Sequence, residues 1–141
     1  MADRILVIDD EVDMLMLLRM IIEDNTDYDV ETTNNPSEGL KNLTEKEYDL
    51  VITDLKMPGM DGIELFDELK EIRPGIPVII ITAYGSLETA DEAMKKGVVD
   101  FITKPFRKDH ILFTIKRVLE LAKVRKENIE LKMRLDEQSK S

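Results

Sequence analysis

The sequence contains no cysteine, which excludes a disulfide framework and any metal site built from thiolates. It has no apolar run near the roughly 20 residues that span a membrane, and its N-terminus lacks the apolar core of a signal peptide. Positive charge is scarce, because 30 acidic residues outnumber 20 basic ones and give a formal net charge of -10. Such a balance disfavours binding to a nucleic-acid backbone. We therefore expect a cytoplasmic protein in which this segment contacts neither nucleic acid nor membrane.

The phosphate-binding loops of nucleotide folds are missing too, since the chain has neither a GxGxxG stretch nor a P-loop. It does have enough apolar sequence for a core. Of its 141 residues, 43% are hydrophobic and 35% are charged, a balance that excludes disorder as the main state. This length suits one domain with a tail.

Stretches rich in β-branched residues alternate with stretches whose apolar residues recur at spacings of three and four. The predicted strands are residues 5–8, 28–33, 50–53, 77–82 and, more weakly, 101–103. The predicted helices are residues 12–23, 36–45, 62–72, 87–96 and from about 107 almost to the end. One face of the first helix would carry Val12, Leu15, Leu18 and Ile22. Pro36 suits the first position of its helix, and Gly97 suits the end of the fourth.

Strict alternation of strands and helices predicts an α/β fold, a doubly wound five-stranded parallel sheet with right-handed crossovers and an extended C-terminal helix. The first, third and fourth strands are apolar throughout and belong in the centre of the sheet. The second strand alternates and the fifth is short, as suits edges. The order 2-1-3-4-5 satisfies both conditions. In such a sheet the ligand crevice lies beyond the carboxyl ends of the first and third strands.

Polar side chains stand at the carboxyl ends of four of these strands. They are Asp9 and Asp10 after the first, Asp54 after the third, Thr82 at the end of the fourth and Lys104 after the fifth. Crowded carboxylates repel one another unless a cation binds among them. A hard divalent cation with oxygen ligands, usually Mg²⁺ where a phosphate is handled, meets that need. The Lys104 ammonium supplies a second positive charge.

Each of these residues also has an ordinary interpretation. Asp9 or Asp10 could cap the first helix. Asp54 could be a turn acid before a Pro-Gly turn, Thr82 a strand-end residue and Lys104 a surface lysine. Taken singly, each ordinary interpretation is favoured. Their coincidence at one end of one sheet favours a common function instead.

Four short motifs occur in order at these strand ends: I-D-D-E at 8–11, D-L-K-M-P-G-M-D-G at 54–62, T-A-Y-G at 82–85 and T-K-P-F at 103–106. Together they resemble the receiver domain of bacterial two-component response regulators, a CheY-like domain with the flavodoxin-like fold. The resemblance covers residues 3–122. It implies a signalling protein that is phosphorylated, rather than an enzyme.

The resemblance implies that Asp54 accepts a phosphoryl group from a phosphohistidine on a sensor histidine kinase. It also implies a Mg²⁺ ion bound by Asp10, Asp54 and the backbone carbonyl of Lys56, with Asp9 acting through water. The only histidine of the chain, His110, matches no receiver motif and falls early in the last predicted helix. The phosphodonor is therefore expected on a separate protein.

In receivers a lysine and a hydroxyl residue contact the phosphoryl oxygens, and Lys104 and Thr82 occupy those positions here. Inward movement of Thr82 would shift the loop after the fourth strand, and Phe101 would then rotate from outside to inside. Many receivers have tyrosine at this position, and core packing is the plain alternative for Phe101. The responding face would comprise residues 86–122. The resemblance also implies a cis peptide bond before Pro105.

The last predicted helix continues past the receiver-like part with apolar residues at alternating spacings of three and four. This seam contains Leu121, Val124, Asn128, Leu131 and Leu135. Asn128 falls at an a position, where a single buried asparagine often fixes the register of a two-stranded coil. We therefore expect a receiver domain at 1–122 and a helical linker at 123–141 that dimerises as a coiled coil. A frayed, charged helix is the alternative.

The tail and the stretches T-A-Y-G-S-L-E-T-A and D-F-I-T-K-P-F also resemble NtrC-like enhancer-binding transcription activators. In those proteins an AAA+ ATPase and a DNA-binding domain follow the linker. The chain ends at Ser141, where such domains would begin, so we expect it to be part of a longer protein. One alternative is a stand-alone signalling receiver. Another is a haloacid-dehalogenase-type phosphatase, which needs a second acid where this chain has Lys56.

Overall fold

Strands and helices alternate through the part of the chain that the computed structural model describes, residues 3–55, 57, 59–60, 62–83 and 87–139. The strands are β1 (Arg4–Ile8), β2 (Asp29–Thr33), β3 (Leu50–Asp54), β4 (Val78–Thr82) and β5 (Asp100–Thr103). The helices are α1 (Val12–Asn25), α2 (Pro36–Glu45), α3 (Gly62–Ile72), α4 (Leu87–Lys96) and α5 (Lys108–Ser139). These bounds agree with the predicted ones to within one or two residues.

The five strands form one parallel sheet in the order β2-β1-β3-β4-β5, which confirms the predicted topology. β3 and β4 are buried along their whole length, and β1 is buried except at Arg4, because helices cover both faces of the central strands. β2 and β5 lie at the edges and keep partly exposed residues. Ile8 pairs with Thr53, and Asp54 pairs with Ile81. The central strands therefore end together at one edge of the sheet.

Helical side chains form two cores, one on each face of the sheet. On the first face the buried residues of α1 and α5 are Leu15, Leu18, Ile21, Ile22, Ile111, Ile115, Val118 and Leu119. On the second face the buried residues of α2, α3 and α4 are Leu43, Leu65, Phe66, Leu69 and Ala93. The sheet is thus the middle of three layers, as a doubly wound fold requires.

The first turn of α1 differs from the prediction. Val12 is 52% exposed and does not share the buried face of the helix, which Ile21 joins instead. The turn begins past the carboxyl end of β1, where the sheet no longer offers a surface to pack against. An apolar residue at the correct spacing is therefore left in solvent.

The predicted cap of α1 is wrong, while two other end signals are confirmed. The N-cap residue is Glu11, and no side chain caps the helix. Asp9 instead accepts a hydrogen bond from the backbone N–H of Glu11 at 2.9 Å, within the loop that precedes the helix. Asp10 is exposed and is not the cap either. Pro36 occupies the first turn of α2, and Gly97, at a φ of 113°, follows the last residue of α4.

Arg73, just after α3, covers the C-terminal end of α2. Its Nε donates to the Leu43 carbonyl at 3.0 Å, and its Nη2 donates to the Lys46 carbonyl at 3.2 Å. The last carbonyls of a helix lack partners within the helix and carry the negative end of its dipole. The guanidinium of Arg73 therefore replaces the missing donors and balances the dipole.

We expect Arg73→Ala to lower the free energy of unfolding by about 1 to 2 kcal/mol, because two hydrogen bonds from a charged donor are lost. Arg19→Ala is the control, since it removes an exposed ion pair with Glu23 and should cost no more than about 0.5 kcal/mol. Urea unfolding measures both variants. Equal losses in the two would contradict the capping role of Arg73.

α5 has 32 residues and packs on the sheet only in its first third. From residue 123 to 135 every side chain is exposed. The apolar residues of the seam are exposed by half or more, at Leu121 (55%), Val124 (50%), Leu131 (55%) and Leu135 (64%). Neither α5 nor any other helix within the described residues is apolar enough to cross a membrane. A long apolar line on α5 therefore has no partner within the described part of this chain.

Candidate functional site

Three carboxylates meet at the carboxyl edge of the sheet. Asp9 and Asp10 follow β1, and Asp54 is the last residue of β3, its neighbour in the sheet. One carboxylate oxygen from each lies within 4.8 Å of the other two. Asp9 is 2% exposed and Asp54 is 7% exposed, whereas Asp10 faces solvent. Two of the three charges therefore lie where water screens them little, which strengthens their mutual repulsion.

Lys104, just after β5, brings a positive charge into this cluster. Its Nζ lies 3.2 Å from Asp9 Oδ2 and 3.3 Å from Asp54 Oδ2. Its backbone N–H donates to the carbonyl of Thr82 at 2.7 Å, and the peptide bond from Lys104 to Pro105 is cis, as the resemblance implies. Lys104 thus bridges two buried acids and is joined through its main chain to the end of β4.

The ionisation of the cluster follows from burial and charge. Burial raises the pKa of the Asp9 carboxyl above its ordinary value, although the Glu11 N–H and the Lys104 ammonium act against this. Burial lowers the pKa of Lys104, but the carboxylates of Asp9 and Asp54 outweigh it, and the net pKa is raised. Lys104 is therefore protonated at neutral pH. With its three carboxylates ionised, the cluster holds two more negative charges than Lys104 neutralises.

The two predicted switch residues lie on the strands that flank this cluster. Thr82 is the last residue of β4, is 3% exposed and pairs with Thr103 of β5. Phe101 pairs with Ile80 and is half-buried in the core on the α2, α3 and α4 face. Residues 84–86, the first two of which complete the T-A-Y-G motif, lie outside the described residues.

A family model of the response regulator receiver domain matches residues 5–116. The chain belongs to this family. Transcriptional regulatory protein GlrR of Escherichia coli strain K12 is 42% identical over 116 residues, which are 82% of this chain and 26% of that protein. The fold matches that in the crystal structure of NtrX from Brucella abortus in complex with ADP, with a TM-score of 0.87 and 36% sequence identity. The match covers 93% of this chain and 30% of that one.

A receiver domain protein (CheY-like) from Methanospirillum hungatei has a TM-score of 0.84 at 31% identity, covering 89% of this chain and 99% of that one. The match therefore covers nearly all of that receiver domain chain. It spans only 26% to 29% of the length of the curated relatives it matches, which are regulators of the NtrX and NtrC-like type. This chain thus forms a response regulator receiver domain that is homologous to those regulators.

The donors in the acidic cluster of this receiver domain suit a hard divalent cation. All three are carboxylates, whose oxygens are the ligands that Mg²⁺ prefers. A divalent ion would also balance the excess negative charge beside Lys104. Softer metals that need thiolates do not fit, because the chain has no cysteine. The predicted carbonyl ligand of Lys56 lies outside the described residues.

A cleft of about 370 Å³ lies beside Asp10, the exposed acid of the cluster. It is lined by Asp10, Asn34, Asn35, Pro36, Ser37, Gly59 and Met60. Asn35 also caps α2, because its Oδ1 accepts from the backbone N–H of Ser37 at 2.9 Å and of Glu38 at 3.3 Å. The sequence reasoning missed Asn34 and Asn35. Their position directly after β2, beside β1 in the predicted sheet, was the available signal.

Proposed function

We propose that this receiver domain accepts a phosphoryl group on the carboxylate of Asp54, from a phosphohistidine of a separate sensor histidine kinase. One observation carries the proposal: Asp54 lies within 4.8 Å of two further carboxylates, and the Lys104 ammonium contacts it. A nucleophile, a seat for a divalent cation and a fixed positive charge thus occupy one edge of the sheet. Phosphoryl transfer needs little more than such positioning and charge compensation.

Asp54 is the best nucleophile among the three acids. Asp9 lies in the loop after β1, where its Oδ1 accepts the Glu11 N–H at 2.9 Å, so its carboxylate is held within that loop. Asp10 is exposed, so water competes with any group that approaches it. Asp54 ends a central strand in a buried setting, and it begins the D-L-K-M-P-G motif shared with receivers. We therefore assign Asp9 and Asp10 to cation binding and Asp54 to the chemistry.

In the proposed transfer, an oxygen of the Asp54 carboxylate attacks the phosphorus atom of the phosphohistidine. The new O–P bond forms as the P–N bond breaks, and the electron pair of that bond stays on the imidazole, which leaves neutral when its other nitrogen carries a proton. Lys104 and the Thr82 hydroxyl bind phosphoryl oxygens. Asp10, Asp54 and the Lys56 carbonyl would hold Mg²⁺, with Asp9 acting through water, and the ion would supply positive charge that neutralises both reactants.

The phosphoryl group would act as a switch through Thr82 and Phe101. The Thr82 carbonyl accepts the Lys104 N–H. This hydrogen bond couples movement at the end of β4 to movement at the end of β5. Phe101 lies on the α4 side of the sheet, and we propose that it rotates inward when Thr82 binds the phosphoryl group. Phosphorylation biases an existing equilibrium by its different interactions with the two states. Phe101 has no hydroxyl, so its response rests on packing alone.

We propose no catalytic turnover for this receiver. A haloacid-dehalogenase-type phosphatase also forms an aspartyl phosphate with Mg²⁺, but it needs an acid two residues after the nucleophile. Lys56 stands at that position. A lysine does not supply the carboxylate that serves as general acid and base in that class, so we interpret the acyl phosphate here as a signal.

We propose that residues 123–141 link the receiver to an output domain and dimerise as a coiled coil. The support is the line of exposed apolar residues on α5 and the 93% coverage in the NtrX match, which extends beyond the family-matched residues 5–116. By similarity to NtrX and GlrR, the full protein would be a cytoplasmic transcription activator with an AAA+ domain. A stand-alone receiver is the alternative.

Incubation with acetyl phosphate and Mg²⁺ tests the phosphoacceptor proposal directly. We expect one phosphoryl group per chain by intact mass spectrometry, because a small phosphodonor needs only the site itself. Adding EDTA should suppress the reaction, since the acids then repel the incoming phosphoryl oxygens. Equal labelling with and without Mg²⁺ would contradict the role given to the acidic cluster.

A further inference from the structure

We infer that Asn34 and Ser37, in the cleft beside Asp10, accept hydrogen bonds from water molecules bound to the cation of the acidic cluster. They are positioning residues, which hold Mg²⁺ through its own water. The inference rests on the proposed cation site and adds to it an outer layer of contacts from the loop between β2 and α2. The two proposals fail in different ways, which a binding measurement separates.

The cleft suits a hydrated cation in its position and size. It shares Asp10 with the acidic cluster, and Asp10 is the one acid of the three that faces solvent. A volume of about 370 Å³ has room for on the order of ten water molecules, since each occupies about 30 Å³ in the liquid. Mg²⁺ gives up water reluctantly and usually keeps several waters in a protein site. Waters on a cation bound at Asp10 therefore have space on this side.

The side chains at the cleft supply the acceptors that such waters need. Asn34 offers an amide oxygen and Ser37 a hydroxyl oxygen, and neither side chain forms a hydrogen bond to another part of the described chain. Asn35 differs, because its Oδ1 already accepts two backbone N–H groups of α2. None of the described residues that line the cleft is basic, so its chemistry favours a cation over an anion.

The loop that carries these acceptors is fixed to the end of β1. The backbone N–H of Asp9 donates to the Thr33 carbonyl at 3.2 Å. Thr33 Oγ1 accepts the backbone N–H of Asn35 at 3.3 Å, and Asn35 caps α2. Asn34 therefore lies between two anchored neighbours. Partners that are held in place before the ion arrives support a metal site better than mobile ones.

The close approach of α2 to β1 at Gly39 places Ser37 in the same way. A Cβ atom on Gly39 would lie 2.6 Å from Ile8 Cδ1 and 3.2 Å from Ile8 Cγ1, which is closer than side chains pack. The missing side chain lets the start of α2 lie against the end of β1, two residues before Asp10. Ser37, in the first turn of α2, is thereby kept at the same cleft as Asp10.

NMR titration of the backbone amides with Mg²⁺ and with Ca²⁺ tests the inference. In the double variant Asn34→Ala with Ser37→Ala, the Kd for Mg²⁺ should rise about 10-fold, the lower end of what outer partners of metal sites contribute. The Kd for Ca²⁺ should rise less than about 2-fold, because Ca²⁺ binds more of its protein oxygens directly. A general distortion of the acidic cluster would weaken the binding of both ions alike.

Asn42→Ala is the matched control for the double variant. Asn42 belongs to the same helix but lies in its last turn, about 9 Å along the axis from Pro36, so the Kd for Mg²⁺ should stay unchanged. Ser37→Thr keeps a hydroxyl and should bind Mg²⁺ as the unaltered protein does. Alanine suits the backbone at Asn34, because no non-glycine residue within the described ranges has a positive φ. Circular dichroism verifies the fold of each variant.

Each outcome decides for or against the inference. A selective loss of Mg²⁺ affinity in the double variant, with Ser37→Thr like the unaltered protein, supports it. Equal Kd values for Mg²⁺ in the double variant and the unaltered protein overturn it and leave the acidic cluster as the cation site. Parallel losses for both ions also overturn it, because the two residues then act only on the shape of the cluster. Absence of saturable Mg²⁺ binding by the unaltered protein overturns the cation site and the inference together.

Discussion

Asp54→Ala abolishes phosphorylation of this receiver by acetyl phosphate, with a loss of at least about 100-fold, because the carboxylate that forms the covalent bond is gone. Intact mass spectrometry then shows only the unmodified chain in the presence of Mg²⁺. Asp27→Ala is the matched control. Asp27 is an exposed acid just before β2, at the amino end of the sheet, and its removal should leave labelling unchanged.

Peptide mapping decides whether the assignment within the cluster is right. The phosphoryl group should map to the peptide that contains Asp54 in the unaltered protein. Retained labelling in Asp54→Ala, mapped to Asp9 or Asp10, would show that another acid of the cluster is the acceptor. The acidic cluster would then keep its proposed chemistry, and only the role of Asp54 would be wrong.

Lys104→Ala lowers the free energy of unfolding by about 3 to 5 kcal/mol without Mg²⁺, the usual loss when one partner of a buried ion pair is removed. Its side chain is 11% exposed, and the two carboxylates that it contacts are 3% and 9% exposed as side chains. Because removal leaves these acids facing each other, added Mg²⁺ should stabilise the variant more than it stabilises the unaltered protein. Urea unfolding with and without Mg²⁺ measures both effects.

Lys96→Ala is the control for this comparison. Lys96 also forms an ion pair, with Asp67, but the two side chains are 37% and 55% exposed. Solvent screens such a pair, so its loss should cost less than about 1 kcal/mol and show no dependence on Mg²⁺. Identical Mg²⁺ responses of Lys104→Ala and the unaltered protein would argue against cation binding by the cluster. An unchanged response to beryllofluoride in Lys104→Ala would contradict its role in signalling.

The order of the sheet was predictable from the residues, because strands that are buried on both faces are apolar throughout. The apolar strands 5–8, 50–53 and 77–82 had to be central, and the alternating 28–33 had to lie at an edge. Once that order is fixed, the ends of neighbouring strands must meet. The approach of Asp54 to the acids after β1 therefore follows from topology.

Other features depend on side-chain torsions and loop paths, which spacing does not fix. Lys104 has a long, flexible side chain, and nothing in the sequence shows that its Nζ binds Asp9 as well as Asp54. The failure at Val12 has a similar cause, since helical spacing specifies a face but not where the sheet beneath it ends. The cap of Arg73 on α2 joins residues 27 and 30 positions apart, a separation beyond any local pattern.

The unbroken course of α5 has a mechanical consequence. A helix of 32 residues is about 48 Å long, so a tilt of about 5° at its base displaces its far end by about 4 Å. The part of α5 that packs on the domain contacts β5 through the ion pair between Arg117 and Asp100, and Asp100 precedes Phe101. A movement too small to alter the fold of the receiver is thus magnified severalfold at the far end of α5.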